Sequence, residues 1–149
     1  MAITIQTYNH TAKKLLDLSL YDNRDNFRLV LLSDNVFNAE HTSRDQVTNF
    51  DALTFSGNGW SHDGEVLGNL AVHTVTTNDA KIDADDITVS AVGGSIVAKA
   101  GVIFVDEGGV GTTLTPLWFI DFGETITATD GADFQVVFHS EGICRALFS

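Results

Sequence analysis

A single cysteine, Cys144, and only eight basic residues against twenty acidic ones mark what this 149-residue chain lacks. One cysteine excludes a disulfide within the chain and suits folding in a reducing compartment. Scattered Lys and Arg under a formal net charge of −12 oppose wrapping on nucleic acid, whose phosphates must be met by clustered cations. No run of eighteen apolar residues exists, and the opening MAITIQTYNH has no basic region followed by an apolar one. The expectation is therefore a protein with neither a signal peptide nor a membrane span, whose acidity keeps it soluble and apart from its own copies. The Leu, Glu, Lys and Arg of long helices are also thin. Thirteen glycines, ten phenylalanines and many Val, Ile and Thr residues point instead to short strands joined by turns. At this length the chain fits one domain with a sizeable core and needs no metal to hold it.

The strand pattern is densest from Leu117 to His139. Leu117 to Phe122 is apolar on both faces except at Asp121, as for a strand covered on each side. Glu124 to Thr129 alternates, as does Phe134 to His139, and Asp130-Gly131 lies between them. Two alternating segments around Asp-Gly predict a β-hairpin. Ala2 to Thr7, Asn26 to Ser33, Glu65 to Thr77, Ile87 to Ala91, Ser95 to Asp106 and Ile143 to Phe148 read as further strands, with Gly68 marking a bend. In Ser95 to Asp106, Ile96, Ala98, Ala100, Val102 and Phe104 share one face, and Ile103 and Val105 make the second half apolar on both. Between Thr11 and Leu20 the pattern fits a short helix or a strand equally. Thr42 to Gln46 carries a capping box and predicts about two helical turns. Asn78 to Asp86 reads as a polar connection, and Ser56 to Trp60, Asp63-Gly64 and Gly93-Gly94 as turns. The sum is an all-β, antiparallel sandwich or jelly roll of about eight strands with one or two short helices.

Chemistry-bearing constellations are weak. Asp79, Asp83, Asp85 and Asp86 invite a calcium ion, yet an EF-hand loop begun at Asp79 or Asp83 finds Ser90 or Gly94 where a Glu is required. They read as a solvated turn. Gly108 to Thr113 lacks the lysine of a phosphate loop and precedes a strand, so it reads as a hairpin tip. His10, His41, His62, His73 and His139 have no zinc-ligand spacing, and Cys144 sits in an apolar strand without a nucleophile's context. Trp60 and Trp118 have rings suited to stacking on sugars, but aromatic neighbours favour the core. The chain is thus expected to be no enzyme, with no catalytic residue, cofactor or metal.

Four segments, YNHT at Tyr8 to Thr11, SGNGW at Ser56 to Trp60, TTNDAKIDADDITVSAVGGSI at Thr76 to Ile96 and PLWFIDFGETITATDGADFQVVF at Pro116 to Phe138, together resemble a family of small virion proteins of tailed bacteriophages. Within that family the chain is most similar to capsid decoration, or cement, proteins. It differs from the family pattern at Ala98-Lys99-Ala100. The resemblance implies a sandwich or jelly roll assembled in a host cytoplasm as a homo-oligomer, a dimer or trimer. Its implied partner is the major capsid protein on the outside of the assembled head, with no nucleic-acid or membrane partner. Tyr8 to Thr11 and the loop from Asp106 to Thr115 are the candidate contacts. The alternative is a tail-associated adhesin or fibre-attachment module that binds a host glycan.

Overall fold

The computed structural model describes residues 3–16, 26–47, 49–74, 79–106 and 114–147. Ten strands and two short helices make up its regular elements: β1 (Thr4–Thr7), α1 (Asn9–Leu16), β2 (Phe27–Leu32), α2 (Phe50–Leu53), β3 (Glu65–Val66), β4 (Ala71–Thr74), β5 (Asp79–Asp83), β6 (Ile87–Ser90), β7 (Ile96–Asp106), β8 (Leu114–Ala128), β9 (Asp133–Val136) and β10 (Cys144–Leu147). All pairings are antiparallel. A five-stranded sheet runs β1-β8-β7-β2-β3, a three-stranded sheet β10-β5-β4, and β6 pairs with β9 as a ribbon. The fold is all-β and sandwich-like, and its sheets of five, three and two strands do not by themselves assign the jelly-roll variant. Among the described residues, no helix is long and apolar enough to cross a membrane.

Both faces of the large sheet are covered, which is why its middle strands have no polar face. On one face Phe27, Leu29, Leu31, Ile103, Val105, Trp118 and Ile120 pack with Trp60, Leu67, Ile87, Phe134 and Ile143 from the second layer. On the other, Val30, Leu32, Val102, Phe104 and Phe119 meet Tyr8, Val47 and Phe50 from α1, α2 and the loops beside them. Val102 to Val105 and Leu117 to Ile120 are buried as the two-sided apolarity predicts. Burial at roughly 25 cal/mol per Å² makes these strands the main source of stability.

Several expectations are corrected. The Asp130-Gly131 hairpin does not form: β9 pairs with β6, placing Phe134 opposite Val89, while the second half of β8 pairs with β7. The dipeptide does turn the chain, with Ala132 N–H donating to Thr129 O at 2.8 Å, but Gly131 N–H donates to Ala91 O at 2.8 Å. That bond, and the 2.9 Å bond from Gly93 N–H to Asp130 Oδ1, turn a hairpin loop into a corner between layers. Leu117 to Phe122 and Glu124 to Thr129 are one strand, β8, bent at Gly123. Opposite the bend, two steps of β7 from Ala98 to Ala100 match five steps of β8 from Ile126 to Asp121. This bulge reverses the facing of β7, so Ile96 and Ala98 lie on the side of Ile103, and Ala100, Val102 and Phe104 on the other. The predicted strand from Glu65 to Thr77 is split near Gly68 into β3 and β4, in different sheets, with residues 75–77 outside the described residues. Thr42 to Gln46 gives only one 3-10 turn, Arg44–Gln46, although the Gln46 side chain does accept from Ser43 N–H at 3.2 Å. Asn9 to Leu16 settles the ambiguous segment as helix, with Leu18 and Leu20 outside the described residues.

Candidate functional site: an apolar groove between two strand edges

Each acid of the proposed calcium cluster has a separate partner. Asp79 opens β5, the middle strand of its sheet, and its buried carboxylate pairs with Arg145 on β10. Asp83 pairs with Lys81 at 2.9 Å, and this hydrogen bond holds its carboxyl below the usual range. Asp85 accepts from Asn69 Nδ2 at 2.6 Å, and Asp86 from Phe138 N–H at 2.8 Å. The segment read as a polar connection is therefore mostly strand. Charges made it resemble a loop, yet Asp79 finds its partner, Arg145, far along the chain.

The histidines do not converge. His10 bonds Pro116 O, His62 lies 3.6 Å from Asp63, and His139 Nδ1 accepts from Glu141 N–H at 3.0 Å. Among the described residues no three His, Cys, Asp or Glu side chains are grouped to hold a metal. Burial pushes the Cys144 thiol up, away from thiolate character, with Trp118 beside it opposing. Trp60 and Trp118 are both buried; Trp60 packs edge-on to Phe134 at 5.8 Å, and Trp118 lies 6.3 Å from Phe27. Residues 107–113 of the candidate loop, including Gly108 to Thr113, lie outside the described residues.

The segments quoted for the family resemblance turn out to be tied to one another. Tyr8 N–H and the Thr11 hydroxyl both donate to Leu117 O, at 3.1 and 2.8 Å. In SGNGW, Gly57 and Trp60 exchange two 2.9 Å backbone bonds around Asn58 (φ 53°) and Gly59 (φ 103°), the positive pair that a type I′ turn requires. Asn58 then reaches the Gly93-Gly94 turn, accepting from Val92 N–H at 3.0 Å and donating through Nδ2 to Ser95 O at 2.8 Å. Lys99, in the segment where the sequence resemblance breaks, sits at the β7 bulge and pairs with Asp34 at 3.0 Å. These stretches hold the fold together. Tyr8 and Thr11 are buried, so within the candidate contact YNHT only Asn9 and His10 present surface.

Burial also pushes the Tyr8 phenol well above the usual tyrosine range. The folded state then holds that proton more tightly than the unfolded chain. Its stabilising contribution is complete below the ordinary value of about 10 and is lost as pH rises above it toward the folded value. Tyr8→Phe is therefore expected to flatten the alkaline fall in stability above about pH 10, followed by denaturant unfolding across pH. Ionisation of Tyr8 near pH 10 in the native absorbance titration would contradict its burial.

What remains exposed and unusual is apolar. A groove of about 470 Å³ is lined by Ile3 just before β1 and Ile5 on it, by Ile120, Phe122 and Ile126 of β8, and by Phe134 to His139 along β9 and its continuation. Ile3 is 65% exposed, Ile5 38% and Val137 68%. Single exposed hydrophobics are ordinary, but here three border one opening. Among the described residues the groove lies where the sandwich is unclosed: β1 ends the large sheet and pairs with β8 alone, and β9 pairs with β6 alone. Sequence alternation identified Ile3 and Ile5 as one strand face, but gave no sign that this face stays open.

No protein-family model, curated protein or solved structure matches the chain.

Proposed function

We propose that this protein is a non-enzymatic, homo-oligomeric decoration protein that binds the outside of an assembled phage head and stabilises it, with the major capsid protein as partner. The observation that carries the reading is an apolar groove lined by no described Asp, Glu, Lys or Arg in a chain of net charge −12, a surface fit for protein contacts. The resemblance of the four segments supplies the phage context. An oligomer that touches several capsid subunits gains effective concentration at its second and third contacts, so each contact need only be weak. A glycan-binding tail module is less supported, because both tryptophans are buried in the core.

Purified protein mixed with mature shells that lack it should co-sediment and saturate at a fixed ratio to the capsid protein. Failure to co-sediment, with the protein found only in tails, would refute the reading.

A further inference from the structure

We infer that the edge of β1 and the groove beside it form a two-fold interface with a second copy of this chain, giving a dimer whose large sheets join through antiparallel β1 strands. The inference rests on the homo-oligomer part of the function proposed above and supplies its contact surface and its number.

Three observations lead there. First, among the described residues β1 is the end strand of its sheet and carries no lysine, proline or bulge. Native edges are blunted by Lys, Pro, a bulge or a covering loop. Ile3 to Thr7 reads Ile-Thr-Ile-Gln-Thr, with no charge and no proline, and its register against β8 runs unbroken from Thr4 opposite Asp121 to Thr7 opposite Trp118. Second, the backbone on that edge is directed outward. Tyr8 N–H donates inward to Leu117 O, so by strand alternation the Ile5 and Thr7 N–H groups face away from β8. Another strand is what satisfies such a row, and an antiparallel copy of β1 related by a two-fold axis is self-complementary. Third, Ile3 and Ile5 turn toward the groove, where pairing would set the isoleucines of both chains in one apolar row at its mouth.

Charge identifies the occupant. Among the described residues no Asp or Glu lines the groove, and the one ionisable side chain there is His139. A basic partner would select carboxylates at its binding surface, and this one presents none. A copy of the same acidic chain must instead meet its twin where both are uncharged.

Sedimentation velocity and light scattering across a concentration series, without shells, test this. The wild type should be a dimer, Ile5→Lys should weaken it by about tenfold or more, as expected for an unpaired charge buried at an interface, and Val72→Lys should not. Val72 is 70% exposed on β4, in a different sheet from β1 and outside the groove lining, and so controls for added charge. Hydrogen exchange on the wild type provides a second readout that needs no variant: protection of the Ile5 amide should rise with protein concentration. A wild-type monomer, a trimer, which a two-fold pairing of edges does not close, a dimer insensitive to Ile5→Lys, or an Ile5 amide indifferent to concentration would each overturn the interface. Dimers that fail to bind shells would instead refute the proposed function while leaving the interface intact.

Discussion

Phe119→Ala is expected to destabilise the protein by about 3–5 kcal/mol, a large part of the 5–15 kcal/mol that holds a typical domain together. Phe119 is fully buried on β8, inside the large sheet between β1 and β7, and lies opposite Val102. Its ring contacts Phe37 at a centroid distance of 5.6 Å, and Phe37 in turn packs on Tyr8 at 5.0 Å. Truncation therefore opens a cavity where the helical layer meets the sheet. The β8 backbone, bonded on both sides, has little freedom to collapse into it. Trp118, one residue earlier and also fully buried, faces the other layer, and Trp118→Ala is expected to cost a similar amount through a different cluster. Denaturant unfolding with an unchanged m-value measures both. A loss below about 1 kcal/mol at Phe119 would place its ring on the surface and break the assignment of a sheet covered on both faces.

Strand positions were legible in the sequence because β7 and β8 are apolar on both faces, which few other structures tolerate. Their partners were not. Alternation around Asp130-Gly131 defines two strands and a turn, but hairpin and corner differ only in where the turn's groups bond: here Gly131 N–H donates to Ala91 O, and the Asp130 carboxylate accepts from Gly93 N–H. Facing failed similarly at Ala98 and Ala100, since the mismatch against β8 depends on the four residues between Asp121 and Ile126 on another strand. β5 was read as a loop because Asp79, Lys81 and Asp83 resist burial singly, and the Arg145 that pairs with Asp79 is 66 positions away. The groove was least legible of all, since exposure of Ile3 and Ile5 follows from the unclosed sandwich and not from their own pattern. The segments that carried the resemblance proved to be contacts within the fold: Tyr8 and Thr11 bond Leu117 O, and Asn58 bonds the Gly93-Gly94 turn.

Gly64→Ala and Gly131→Ala form a matched pair with sharply different expected losses. Both glycines have φ +86°, a left-handed conformation that costs an L-residue roughly 1–2 kcal/mol, partly offset by the stiffer unfolded chain. Space separates them. A Cβ at Gly131 would have no other atom within 4 Å, whereas one at Gly64 would stand 2.6 Å from Leu29 O and 2.9 Å from both Leu29 C and Val30 Cγ2. The obstacle is backbone, and it belongs to β2, whose Leu29 is fully buried and paired with Ile103 on one side and Glu65 on the other. It has no room to yield. Gly131→Ala should therefore cost about 1 kcal/mol, and Gly64→Ala about 2–4 kcal/mol, as strain of overpacking adds to that of the backbone. Because the left-handed penalty is common to both, the difference between the two unfolding free energies isolates the close approach of the Ser61 to Leu67 segment to β2. Relief in Gly64→Ala can come only by lifting that segment, so hydrogen exchange should speed first at Leu67 N–H, which donates to Phe27 O at 2.9 Å. Equal losses for the two variants would mean that β3 does not lie against β2 as described.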